Sequence, residues 1–172
     1  VQLRANARDS DSATGNVTSV KPDFWFYLGD AQMKVNEPAK AETSLQKFLE
    51  TTSEPAAKAK ALLALGEAKI GAHKPEEAKK IAEEIMTLQP EGRVNAQARL
   101  LAGDVEMERQ QFEEAGKAFM SVALLYDDPE ITPQALTKAA SAYQKAGKPD
   151  EAERARAQLR ERYPTRLSSS NG

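Results

Sequence analysis

Small and apolar residues recur along this chain at alternating intervals of four and three. Phe24, Leu28, Ala31 and Val35 form one such series, and Ala61, Leu65, Ala68 and Ala72 form the next. Ala98, Ala102 and Val105 follow, then Ala135, Ala139, Ala142 and Ala146. This spacing keeps one stripe on one side of an α-helix. Between these series lies a second set with helical spacing: Ala41, Leu45, Phe48; Ala78, Ala82, Ile85; Ala115, Phe119, Val122; Ala152, Ala155, Leu159. The pattern predicts an all-α chain of eight helices, near 22–35, 38–51, 56–72, 75–88, 93–109, 112–126, 132–146 and 149–162, with no sheet.

The helices come in pairs with one period. Ala41, Ala78, Ala115 and Ala152 stand 37 residues apart, and Gly29, Gly66, Gly103 and Ala140 keep the same interval twelve residues earlier. Pro38, Pro75 and Pro149 share it, with Phe112 in the remaining slot. A period of this length marks one supersecondary unit copied four times. Each unit buries its apolar side against its neighbour, so the array is a single domain, an α-solenoid. We divide the chain into a non-repeat segment 1–21, a solenoid 22–166 with units 22–58, 59–95, 96–132 and 133–166, and a tail 167–172. A proline in the first helical turn sacrifices no hydrogen bond. Glycine inside a helix costs roughly 1 kcal/mol relative to alanine. Three helices that accept this cost at one site imply close backbone crossings, so Gly66 and Gly103 are expected to be buried and Gly66→Leu to overpack.

Chemistry is scarce. There is no cysteine, which excludes disulfides and thiol catalysis. The single histidine, His73, falls in an inter-helix turn with no partner for a triad or a zinc site. The three repeat glycines do not form a phosphate loop. The acidic pairs Glu76-Glu77, Glu83-Glu84, Glu113-Glu114 and Asp127-Asp128 read as solvated or helix-dipole positions. No catalytic residue, cofactor or metal is expected. Net charge is −2, and the arginines of 149–162 are interrupted by Glu151, Glu153 and Glu161, so they read as a polar end cap rather than a nucleic-acid surface. Charge is uneven: residues 96–132 carry 3 basic and 8 acidic groups, whereas residues 133–172 carry 8 basic and 4 acidic. No apolar run reaches the length of a membrane span.

The residues at these repeat positions resemble the tetratricopeptide repeat, whose pattern runs aromatic, Leu-Gly, Tyr, Ala, large apolar, Pro. Trp25, Leu28, Gly29, Ala41 and Leu45 fit, as do Leu62, Leu65, Gly66, Ala78 and Pro90. Gly103, Ala115 and Phe119 fit in the third unit, and Tyr143, Ala152 and Pro164 in the fourth. Gln32, Lys69, Glu106, Arg99 and Arg156 depart from it. The resemblance implies a right-handed α-solenoid whose first helices line a concave groove. It implies a non-enzymatic scaffold for a protein or peptide partner, held by positions around each repeat glycine. Those positions are Phe26, Asp30, Met33, Leu63, Glu67, Ile70, Leu100, Asp104 and Met107. They are apolar or acidic, Lys60 and Lys138 excepted nearby, which disfavours capture of an acidic peptide tail. The lengthened period resembles repeats of bacterial cell-envelope proteins, a resemblance that favours the periplasm or envelope over the cytoplasm as the compartment.

Two further readings stand beside the scaffold: a structural module that stacks through terminal repeats, and an accessory domain of a larger envelope protein or enzyme. The run Phe24-Trp25-Phe26-Tyr27 holds four of the ten aromatics. Four adjacent residues point all round a helix, so at least one faces away from the following unit. Residues 1–21 are expected to lie across this edge and shield part of the cluster, Leu3 and either Val17 or Val20 making the contacts. The chain is expected to be a monomer, with self-association through the aromatic edge as the alternative.

Overall fold

The computed structural model describes residues 21–164, and within them the chain forms eight α-helices and no strand. They are α1 Pro22–Lys34, α2 Pro38–Thr51, α3 Pro55–Gly71, α4 Pro75–Thr87, α5 Gly92–Glu108, α6 Phe112–Leu125, α7 Ile131–Lys145 and α8 Pro149–Arg162. Each boundary lies within one residue of the position expected from the apolar pattern. Every helix packs on the next, and α1, α3, α5 and α7 also touch in series. Four helix pairs stacked in this way make a helical-repeat solenoid. The expected cover of α1 by residues 1–20 falls outside the described residues.

One turn joins the two helices of every unit. Asn36, His73, Gln110 and Gly147 each adopt a positive φ, between 56° and 70°. The N–H of the residue that follows each donates back across the last turn: Glu37 to Gln32, Lys74 to Lys69, Gln111 to Glu106 and Lys148 to Tyr143, at 2.8–2.9 Å. The left-handed residue donates to Met33, Ile70, Met107 and Gln144 in the same order. This is a Schellman closure, which satisfies the orphan carbonyls of the first helix. Only the fourth unit uses glycine at the left-handed position, so the other three carry the steric cost of a Cβ there. His73 is thereby explained as a turn residue.

The four repeat alanines, Ala41, Ala78, Ala115 and Ala152, are fully buried. Opposite them the repeat glycines receive a bulky side chain. A Cβ on Gly29 would lie 2.7 Å from Leu45 Cγ, and one on Gly103 would lie 2.6–2.8 Å from two carbons of the Phe119 ring. Leu45 and Phe119 each follow their glycine by sixteen residues. In the second unit that position is Ala82, and the space over Gly66 is filled instead by Leu101 of the next unit. In the fourth unit it is Arg156, a half-exposed side chain, and there the glycine is replaced by Ala140.

A buried cation ties the first two units together. Lys69 is only 5% exposed and forms ion pairs with Glu42 of α2 and Glu77 of α4. Burial by itself lowers its pKa, and the hydrogen bonds and charges of the two carboxylates more than reverse this, so it lies above the usual lysine range. Glu77 is held below the usual glutamate range, first by its hydrogen bond with Lys69. The sign of each linkage follows. The Lys69 contribution is present below the unfolded lysine pKa and is lost as pH rises through the folded value. The Glu77 contribution is present above the unfolded glutamate pKa and is lost as pH falls through its folded value. The triad therefore supports the fold across the whole neutral range.

Two substitutions check this account. Gly103→Ala pushes a methyl into the Phe119 ring and is expected to lower stability by about 1–3 kcal/mol in urea denaturation, as overpacking does. Gln110→Gly relieves the left-handed strain and is expected to raise stability by about 0.5–1 kcal/mol in the same measurement.

Candidate functional site

Asp30, Glu67 and Asp104 each follow a repeat glycine, so they stand at one register position of α1, α3 and α5, which touch in series. The three form one electrostatic unit. Glu67 is exposed by surface area, but protein atoms crowd its carboxyl and limit its hydration. That burial, and next the charge of Asp104, push its carboxyl above the usual glutamate range; Lys138 opposes the shift and Asp30 adds to it. Asp104 is raised as well, chiefly by burial, although the charge and hydrogen bonds of Lys138 pull it down and Glu108 pushes it up.

Lys138 reaches into this track from α7. Its Nζ donates to both carboxylate oxygens of Asp104 at 2.6 Å and sits 5.6 Å from the Phe119 ring centroid. The sequence marks Lys138 only as a basic exception; its pairing across 34 residues needs the stacked units to exist. At the other end, Asp30 pairs with Lys34 at 2.7 Å. The acidic track thus has a lysine at each end and Glu67 between.

The apolar positions divide. Met33, Ile70 and Met107 are half-buried: each packs against the core and keeps part of its surface open. Phe26 is also half-buried, with its ring centroid 5.4 Å from that of Phe48. It borders a cavity of about 130 Å³ with Asp23, Tyr27, Phe48, Glu54, Ala57 and Lys60. Leu63 and Leu100 lie deeper than the other positions: both belong to core clusters and are 5% and 6% exposed.

A second concavity was not foreseen. On the side of α5 opposite Asp104, Ala102 and Glu106 floor two adjoining hollows of about 320 and 660 Å³ between α4 and α6. The same register position is filled in the second unit by buried Lys69 and in the fourth by Tyr143, whose ring lies on Gly116. In the third unit Glu106 turns to Arg109 instead, and the space stays open. Three of the four arginines of the last helix are engaged within the protein. Arg160 and Arg156 pair with Glu153, and Arg162 pairs with Asp127 and donates to the Ala123 carbonyl.

Comparison with known proteins gives two family matches. Residues 63–135 match one model described as tetratricopeptide repeat, and residues 134–166 match a second model with the same description. No curated protein matches the chain.

The raised carboxylates have a measurable consequence. A glutamate whose folded pKa is raised contributes stability only below its unfolded pKa and loses that contribution as pH rises through the folded value. At neutral pH Glu67 therefore weighs against the fold. Glu67→Gln is expected to raise the melting temperature at pH 7, and the gain should shrink toward zero at pH 4, as read by circular dichroism at both values.

Proposed function

We propose, for a chain that belongs to the tetratricopeptide repeat family, a role as a scaffold that holds an extended, basic and apolar segment of a partner protein in the groove of its first helices. Repeats of this family mediate protein–protein interactions, and its scaffolds do so without catalysis. The observation that carries the narrower reading is the raised proton affinity of Glu67, set first by burial and then by the charge of Asp104, with Asp30 adding to it. A crowded carboxylate beside two like charges forms a potential that a cationic side chain relieves. Beside them Met33, Ile70, Met107 and Phe26 supply flexible or aromatic apolar surface, which adapts to a partner side chain. The partner segment accordingly alternates lysine or arginine with a large apolar residue. Leu63 and Leu100 support the wall rather than the contact. The 37-residue period, three longer than the usual 34, supports a place among bacterial cell-envelope repeat proteins.

A fluorescently labelled peptide alternating lysine with leucine tests this by anisotropy. It is expected to bind at low salt and to weaken as pH falls into the raised carboxyl range, because protonation removes the attraction. Changing Asp30, Glu67 and Asp104 together to lysine is expected to weaken binding by at least about tenfold, the scale of several rim charges. Equal affinity for the triple variant would remove the groove as the site.

A further inference from the structure

We propose that two copies of this chain associate through the open side of α1, antiparallel across a two-fold axis. The four units compare directly here. Five residues before the repeat glycine position stand Ala61, Ala98 and Ala135 in the later units, exposed by no more than 1%; two residues after it stand Ala68, Val105 and Ala142, again no more than 1%. Ala98 shares a core cluster with Ala82 and Ile85 of the preceding unit, and Ala135 and Ala142 share one with Ala115 and Phe119 of theirs. In the first unit the same two positions are Phe24, 48% exposed, and the exposed Ala31. Tyr27 and Val35 join them at 68% and 67%. The later units fill this side with small residues under a neighbour; the first unit places two aromatic rings on it.

The charges at the rim say what covers it. At roughly 100° per residue, Phe24, Tyr27, Ala31 and Val35 occupy about an 80° sector of α1. Asp23 and Lys34 flank that sector on one side, at opposite ends of the helix, and both are exposed. When a second α1 lies antiparallel with its Ala31 opposite Tyr27, the Phe24 ring meets the partner copy's Val35. Asp23 then lies within about 1.5 Å axially of the partner copy's Lys34, one helical rise. By the two-fold every contact occurs twice. The face is therefore complementary to itself in shape class and in charge: opposite charges meet at both ends and apolar side chains meet between them. A parallel arrangement would put the equal charges level with one another on opposite flanks of the contact and give neither a partner of opposite sign. Lys34 also pairs with Asp30 of the groove, so the Asp23→Lys and Tyr27→Glu variants, which leave the acidic track intact, are the ones that separate dimerisation from groove binding.

Sedimentation velocity of the 172-residue chain over a range of concentrations tests the proposal, with helix content checked by circular dichroism. The expected result is a monomer–dimer equilibrium. Asp23→Lys alone and Lys34→Asp alone should each weaken the dimer by about tenfold, since each creates two like-charge contacts. The double variant Asp23→Lys/Lys34→Asp should recover most of the lost affinity, and Tyr27→Glu should abolish association. A chain that stays monomeric at all concentrations overturns the proposal. So does a dimer that the double reversal does not restore, and so does a monomer that dimerises only after residues 1–20 are deleted, which would make that segment the natural cover.

Discussion

The close approach at the repeat glycines, to the second helix of the same unit at Gly29 and Gly103 and to the next unit at Gly66, is the constraint on which the other features depend. A glycine in the first helix leaves room for one bulky side chain, and the structure supplies one each time: Leu45 over Gly29, Leu101 over Gly66, Phe119 over Gly103. The helix propensity lost at glycine is about 1 kcal/mol, whereas a fully buried leucine or phenylalanine gains about 1.5–3 kcal/mol. The exchange favours the crossing. The exception follows the same logic, because Ala140 stands where the opposing position is the half-exposed Arg156, which has no need of the space. With the crossing set, the residue after each glycine is carried to one side of the array, and Asp30, Glu67 and Asp104 come into register.

Between units the chain solves one packing problem in several ways. Three residues after the glycine position stand Gln32, Lys69, Glu106 and Tyr143. Gln32 accepts a hydrogen bond from Ser44 at 2.8 Å, Lys69 is clamped by two carboxylates, and Tyr143 lies on Gly116. Glu106 fills nothing and leaves the hollow between α4 and α6. Further ion pairs cross the same boundaries, including Arg109 with Glu76 and Lys148 with Glu113. Most are surface pairs worth little singly; their role is to keep neighbouring units in one register. Groove carboxylates are treated differently. Lys138 engages Asp104, and Glu67 keeps a raised proton affinity between two like charges. Acidic residues elsewhere in the array are lowered: Glu77 and Glu113 by lysine partners, and Asp127 first by the Tyr163 hydroxyl and then by Arg162. Among the described residues, Glu67 and Asp104 are the two carboxyls held above their usual range.

The amino-acid pattern alone determined the number of helices, their limits, the repeat unit and the burial of Gly66 and Gly103. Those features follow from local rules: apolar spacing of three and four, proline in the first turn, and a register repeated every 37 residues. The side-by-side placing of Asp30, Glu67 and Asp104 was legible for the same reason, since equal repeat positions face equal directions. Which of the neighbouring apolar residues reach solvent was not. Leu63 and Leu100 share a repeat position with Phe26, yet the first two are core and the third is half-open, because the depth of each depends on the unit stacked over it. Gly66 receives a leucine from the next unit rather than from its own second helix, a substitution visible only in three dimensions. The Lys69 clamp, the hold of Lys138 on Asp104 and the hollow over Ala102 likewise arise between units, at separations no periodicity encodes. Sequence determined the unit, because a unit is made by contacts within a turn or two of chain. Tertiary structure decided the surface, because burial and charge neutralisation are properties of what lies across the interface.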